Sequence, residues 1–243
     1  MSIITQTELP PGISEREKFL LDCAVSREGA ASFDDYAALL AEWQQRMNLV
    51  APSTLPHIWH RHFADSAQLY KLLPASAVCV VDIGSGAGFP GLVLAIMAQA
   101  EGRAIAVHLV ESIQKKAQFL RAVALQLKLP VTVHAERAEA LRGIAADVIT
   151  ARALAPLEEI LPLAKNFARL ETILLLLKGA RAEEELTSAK QSWHFKHAII
   201  PSRSDPSGKV LRIEKLQAHQ RPVNHSGKRR FDGIKRQTKG DAS

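Results

Sequence analysis

Between Val80 and Gly91 the chain reads Val-Val-Asp-Ile-Gly-Ser-Gly-Ala-Gly-Phe-Pro-Gly, an apolar run that breaks into glycines at 84, 86, 88 and 91. An apolar β-type run that ends in glycines and leads into a second apolar segment has the form of a buried strand, a tight turn and a helix. Glycines at such a turn let the backbone fold back sharply and approach a ligand closely, because no Cβ stands in the way. A nucleotide-like ligand is implied, and three chemistries use a turn of this kind. A phosphate-binding loop needs Lys-Ser or Lys-Thr after its last glycine, and Leu92-Val93 excludes it. A dinucleotide fingerprint needs glycine at the sixth place, where this chain has Phe89. Asp-x-Gly-x-Gly-x-Gly, from Asp82 through Gly88, is the pattern that remains.

From Ala77 onward short apolar runs alternate with amphipathic stretches, as in a parallel sheet covered by helices on both faces. Strands are expected at Val78–Ile83, Ala104–Val110, Val131–His134, Asp147–Thr150, Thr172–Leu177, His197–Ile200 and Val210–Leu216. The last two lie too close together for a helix between them. The expected fold is therefore α/β, a seven-stranded, mostly parallel sheet ending in an antiparallel hairpin. After the second strand Ile113, Ala117, Leu120, Ala124 and Leu127 recur on one helical face, and Pro130 stops that helix. Residues 1–75 read as a helical extension. Ser14 with Glu17 makes one capping box and Ser32 with Asp35 another, and a third helix is expected from about Leu55 to Leu72. Residues 76–217 then form the sheet domain and 218–243 a flexible basic tail.

Composition narrows the setting. The chain is 47% hydrophobic and 23% charged, as globular proteins are. No apolar run reaches the roughly 18–20 residues of a membrane span, and the N-terminus MSIITQTELPPG has neither the basic start nor the apolar centre of a secretory signal. A cytoplasmic protein without membrane attachment is expected. Cys23 and Cys79 alone supply no disulfide framework and no zinc set, and His57, His60 and His62 stand without cysteines or a catalytic carboxylate pattern, so no metal is expected.

The Asp82 to Gly88 pattern resembles motif I of the class I methyltransferases, which bind S-adenosylmethionine. Glu111, at the end of the second strand and about twenty residues beyond the glycines, is placed to accept hydrogen bonds from ribose hydroxyls. The plain alternative is a solvated strand-end carboxylate. Taken in order, Asn48-Leu49, Arg61-His-Phe-Ala-Asp-Ser66, Asp82 through Gly91, Ser112 through Arg121, Ala151-Arg-Ala153 and Leu177-Lys-Gly179 are similar to the bacterial small-subunit ribosomal RNA guanine-N7 methyltransferases, the family also called glucose-inhibited division protein B. The match runs from about Trp43 to Leu216. It implies a class I, Rossmann-like methyltransferase fold, S-adenosylmethionine as cofactor, and methylation of N7 of guanine 527 in 16S ribosomal RNA. The partner is then the small ribosomal subunit, with the chain acting as a monomer. Residue by residue, the resemblance puts Gly84, Gly86, Gly88 and Phe89 beside the cofactor, Ala138-Glu139 near its adenine, and Arg152, after the fourth strand, at the same site. Read without it, Phe89 is plain core, Glu139 a helix-start carboxylate and Arg152 a surface cation. The segment Arg61 to Ser66 is expected near the mouth of the site. There Arg61 and His62 contact RNA phosphate or the target base, or else Asp65 and Ser66 simply brace the glycine turn. Lys178 either faces the RNA or is an ordinary strand-end lysine.

Absent motifs limit the target atom. Methylation of an exocyclic amine usually comes with an Asn/Asp-Pro-Pro-aromatic segment, yet the only Pro-Pro is Pro10-Pro11. Pyrimidine C5 chemistry needs a cysteine nucleophile, and Cys79 lies within the first strand while Cys23 lies among the N-terminal helices. Guanine N7 requires neither device and no general base. Two other classes stand beside this one: a ribosome-binding or RNA-binding protein without catalysis, and a methyltransferase acting on a small molecule or a protein. Asp82, Glu111 and Arg152 together argue against the first.

The net charge of +6 is unevenly spread: from Arg221 to Ser243 seven lysines and arginines face two aspartates, which leaves the body of the chain nearly neutral. Such a tail reads as a nucleic-acid-seeking arm or as a solvated end. Each phosphate contact releases counterions, with a salt slope of about 0.7 to 0.9 per contact. Truncation after Gln220 is expected to weaken RNA binding and flatten the plot of log affinity against log salt, with cofactor affinity unchanged. Identical slopes for the full and truncated chains would make the tail a solvated appendage.

Overall fold

The computed structural model describes residues 13–219; the basic segment from Gln220 onward and the Pro10-Pro11 pair lie outside the described residues. One sheet contains β1 (Cys79–Ile83), β2 (Ala106–Val110), β3 (Val131–His134), β4 (Ala146–Arg152), β5 (Ala168–Lys178), β6 (Trp193–Pro201) and β7 (Lys209–Ala218). Their order is β3-β2-β1-β4-β5-β7-β6. The first five strands pair in parallel and β7 runs antiparallel to both β5 and β6. All seven expected strands are present, as is the closing hairpin, which together make the Rossmann-like arrangement that the sequence implies. The ladder continues through Arg152 opposite Leu177, so Arg152 ends β4 where the sequence placed it beyond the strand.

Helices α4 (Gly91–Ala100) and α5 (Gln114–Gln126) cover one face, and α6 (Leu157–Lys165) and α7 (Ala182–Ala189) the other. Strand β5 shows why its sequence is continuously apolar. Ile173, Leu175 and Leu177 enter the cluster under α4 and α5, while Leu174 and Leu176 enter the one under α6 and α7. The strand order reverses between β1 and β4, and the connections leave the two strands in opposite directions. In open α/β sheets such a reversal leaves a crevice at the carboxyl ends of the strands, where ligands bind.

Helix α1 (Glu15–Asp22) starts from the expected capping box: Glu17 N–H donates to Ser14 Oγ at 3.2 Å, and Ser14 N–H donates to the Glu17 carboxylate at 2.9 Å. The second box is corrected. Helix α2 (Arg27–Gln44) is capped by Ser26, and Ser32 lies inside it with its hydroxyl on the Glu28 carbonyl, the outlet open to an interior serine. The third expected helix is corrected as well. Residues 52–72 form a 3₁₀ turn (Pro52–His57), a π turn (Trp59–Ala64), a single α turn, α3 (Asp65–Ala67), and another 3₁₀ turn (Tyr70–Leu72). Pro52 and Pro56 have no N–H to give to a regular helix, and the wide π turn carries Arg61 and His62. Ile113, expected on the buried face of α5, instead sits exposed at its N-cap.

The N-terminal helices do not stand apart from the sheet: Phe19, Phe33, Tyr36 and Leu40 share one core with Leu92 and Val93 of α4. Fully buried Tyr36 donates its hydroxyl to the Ala87 carbonyl inside the glycine turn, and burial pushes its phenol well above the ordinary pKa. Tyr36→Phe leaves that carbonyl without a partner, a loss of about 1–3 kcal/mol. For a chain of this size, thermal unfolding should fall by roughly 2–4 °C per kcal/mol; an unchanged midpoint would show that the bond contributes nothing net.

Candidate active site

The turn leaving β1 is pinned to the end of β2, because Gly84 N–H and Ser85 N–H both donate to the Val110 carbonyl, at 2.9 and 3.1 Å. Gly86 and Gly88 adopt left-handed backbone, with φ of +57° and +93°. At Gly88 a Cβ would lie 2.3 Å from Leu92 Cδ1 and 2.6 Å from Tyr36 Oη, so packing behind the turn demands glycine. At Gly86 it would meet nothing nearer than the Gly84 carbonyl at 3.8 Å, and its space is the open cleft. Gly88 therefore shapes the turn from behind, while Gly84 and Gly86 line the cleft.

Asp82 is fully buried on the α4 side of β1. Its carboxylate accepts from Thr150 Oγ1 at 2.7 Å and from the Gly91 N–H, at the start of α4, at 3.2 Å. Burial pushes its pKa up to about 6, with the hydrogen bonds and Arg152 pulling the other way. It braces the strand against the helix and does not line the cleft. Glu111 does the opposite. Its carboxylate accepts from Gly86 N–H at 2.9 Å and from Ile113 N–H at 2.7 Å, which ties the loops after β1 and β2 together. The residue is buried, so it is not a solvated strand end, and it opens on a cleft of about 790 Å³. Phe89, Ala138, Glu139, Arg152 and the apolar Ile113 and Leu154 also line this cleft.

Phe89 is stacked against Tyr36 and His62, with ring centroids 5.4 and 4.9 Å apart, and the Arg152 guanidinium lies 4.8 Å from its centroid. Arg152 is no surface cation: only 17% of its side chain is exposed, and Nη1 stands 3.6 Å from the Asp65 carboxylate and donates to the Arg61 carbonyl at 3.3 Å. The next residue, Ala153, takes a left-handed φ of +50°, a strained conformation for a residue with a Cβ. Leu49, Arg152 and Ala153 line both the first cleft and a second cavity of about 410 Å³. Around the second cavity stand Thr54, Arg61, His62, Asp65 and Lys178, together with Ser202, Ser204 and Asp205 from the β6–β7 turn.

In the Arg61–Ser66 segment the bracing runs to the β6–β7 turn, not to the glycine turn. Arg61 is half exposed at the second cavity and pairs with Asp205 at 3.2 Å. Asp65 braces: its Oδ1 accepts from Ser204 Oγ at 2.6 Å, Gln68 Nε2 at 3.0 Å and Ser202 Oγ at 3.3 Å. His62 is buried, and burial, with Arg152 and Arg61 nearby, lowers its pKa to about 3. Because the Thr54 hydroxyl donates to the Ala51 carbonyl, it accepts from His62 Nε2–H at 2.8 Å, and with its pKa so lowered the side chain offers no cation to phosphate near neutral pH. Lys178 lines the second cavity, but its ammonium is given to Glu185 at 2.7 Å and to the Ala155 carbonyl at 2.6 Å. Among the described residues no three His, Cys, Asp or Glu side chains group as metal ligands. Tyr36, Thr54 and the Ser202–Asp205 turn escaped the sequence reading. Asp205-Pro206-Ser207-Gly208 marks a turn in the sequence, but nothing local shows that it returns to Asp65.

The sequence profile of the family described as rRNA small subunit methyltransferase G matches residues 30–208. The chain is 48% identical over 213 residues to the Ribosomal RNA small subunit methyltransferase G of Rhodospirillum centenum, covering 88% of this chain and 96% of that protein. It is 46% identical over 200 residues to the protein of the same name from Paramagnetospirillum magneticum, covering 82% of this chain and 95% of the other.

The neutral His62 gives a pH signature. Its folded pKa of about 3 lies below the ordinary value, so its stabilising contribution is complete above about pH 6.5 and is lost as the pH falls. Asp82, raised to about 6, acts in the other sense: its contribution is present at low pH and lost as the pH rises through 6. His62→Gln keeps a donor for Thr54 and removes the first slope. Relative to wild type the variant should gain about 2 kcal/mol on going from pH 7.5 to pH 5, read by thermal unfolding at both pH values. Parallel pH profiles would mean that folding leaves the His62 pKa at its ordinary value.

Proposed function

Because the chain belongs to the rRNA small subunit methyltransferase G family, we propose that it methylates a base of 16S ribosomal RNA, with S-adenosylmethionine as methyl donor and guanine N7 as the acceptor atom. The observation that carries this reading is the wall shared by the two cavities at Leu49, Arg152 and Ala153. Methyl transfer needs donor and acceptor held within reach of each other across one opening, and most of the rate then comes from alignment.

The residues of the first cleft fit the cofactor. Glu111 has oxygen lone pairs free beyond those used by Gly86 and Ile113, as the hydroxyls of a ribose require. Ile113 and Leu154 offer exposed apolar surface for a ring, with Ala138 and Glu139 on the same lining. When bound, S-adenosylmethionine supplies a methyl on a positively charged sulfur, which keeps the C–S electron pair as the N7 lone pair forms the new C–N bond. Guanine N7 carries no proton to remove. In keeping with that, Asp82 is buried against the start of α4, outside the lining of either cavity, and His62 gives its Nε2 proton to Thr54. The chain contributes orientation, exclusion of water and fixed dipoles.

The same reading makes the protein a cytoplasmic monomer that meets the small ribosomal subunit, with Arg61 at the mouth of the second cavity. Among the described residues no helix is long and apolar enough to cross a membrane.

Labelled methyl transfer should reach purified small subunits or their rRNA and not free protein substrates, and borohydride with aniline should cleave the product at one guanine. Resistance at every guanine would move the target to another atom. Single-turnover rates should stay nearly flat from about pH 7 to 9, where a required base would impose a slope. Glu111→Ala should weaken S-adenosylmethionine binding by about tenfold to a hundredfold in calorimetry, the value of a charge-assisted hydrogen bond. A change below about threefold would free Glu111 of that role.

A further inference from the structure

We infer that the second cavity takes the target base and that Arg152, on the wall shared with the cofactor cleft, donates to O6 of that base and so separates guanine from adenine. The inference rests on the methyltransferase reading above and goes past it to the residue that chooses the substrate. Three residues form the shared wall. Leu49 and Ala153 present only hydrocarbon side chains there, so Arg152 alone carries side-chain donors at the point where the transferred group must pass.

The guanidinium is held for such a task. Its Nη1 is directed at Asp65 and the Arg61 carbonyl, and its plane is supported by Phe89. Asp65 cannot swing away easily, because Ser202, Ser204 and Gln68 all donate to its Oδ1. Among the described residues no acceptor meets Arg152 Nε or Nη2. Burial already opposes the charge of this side chain, and on the lining of both cavities its remaining donors are open to an acceptor on a ligand.

Guanine brings one at the required place. N7 and O6 adjoin on the same edge of the base, so turning N7 toward the methyl donor also turns O6 toward the shared wall. N7 must keep its lone pair for the incoming methyl, which leaves O6 as the atom for Arg152. Adenine also has N7, but it carries an amino group beside it. That group would set donor against donor, a repulsive element aimed at the nearest competitor. Pyrimidines offer no N7. A cavity of about 410 Å³ falls within the range of sites that enclose small ligands.

The test uses the full chain and small-subunit RNA in which the target guanine is replaced by inosine, which keeps N7 and O6, or by 2-aminopurine, which keeps N7 and loses O6. Wild-type kcat/KM should be about tenfold to a hundredfold lower for 2-aminopurine than for inosine, the value of one charged hydrogen bond. Arg152→Met should bring the two substrates within about threefold of each other, a ratio that does not depend on how the variant binds S-adenosylmethionine. Equal wild-type rates on the two analogues would overturn the inference, as would full discrimination by Arg152→Met. The wild-type comparison stands even if Arg152→Met fails to fold. Absence of transfer to unsubstituted RNA is a different outcome, since it removes the methyltransferase reading itself.

Discussion

The guanidinium of Arg152 lies over the ring of Phe89 and beside the carboxylate of Asp65, and through these contacts four distant parts of the chain are held in one place. Arg152 ends β4, Phe89 belongs to the glycine turn after β1, Asp65 comes from the irregular N-terminal segment, and Asp65 in turn gathers Ser202 and Ser204 from the β6–β7 turn. A cation this far from water is tolerated because it has a counter-charge, a carbonyl and an aromatic face. The arrangement of both cavities follows from it, since the elements it joins line one cavity or the other and Arg152 itself stands on their common wall.

Two acidic residues within thirty positions of each other do different work because their surroundings differ. Asp82 is sealed under α4, where it holds Thr150 and the first N–H of the helix, and burial brings its pKa up to about 6. Glu111 bridges two backbone N–H groups at the edge of the cleft and keeps lone pairs facing it. The aspartate of the motif thus ties the start of α4 to the sheet, and the glutamate is the one that can meet a ligand. Gly86, between them, donates to Glu111 and leaves its own Cβ position empty toward the cleft.

Where the sequence misleads, a local pattern is overruled by contacts from elsewhere. Ser32 and Asp35 have capping-box spacing, yet Ser26 had already begun the helix and Phe33 and Tyr36 are drawn into the core on its buried side. Residues 55–72 carry enough apolar side chains for one helix. Pro56 and the packing of Ile58, Phe63 and Ala67 into the core instead break it into short turns of different pitch. Lys178 sits at a strand's carboxyl end, as its position suggested, but Glu185 of α7 takes its charge.

The sequence by itself determined the seven strands, their parallel and antiparallel character, the glycine turn and the acidic residue that follows it. All of these are written in short-range patterns: alternation, apolar runs buried on both faces, glycines where a Cβ cannot stand. Membership of the family was legible for the same reason, since its motifs are local strings. Only the tertiary structure decided that Tyr36 supports the glycine turn, that His62 is neutral, that Ser202 and Ser204 reach Asp65, and that Arg152 lies between two cavities. Those relations join residues up to 139 positions apart. They depend on the strand order and on what each side chain loses by burial, and neither quantity is carried by any local stretch of the chain.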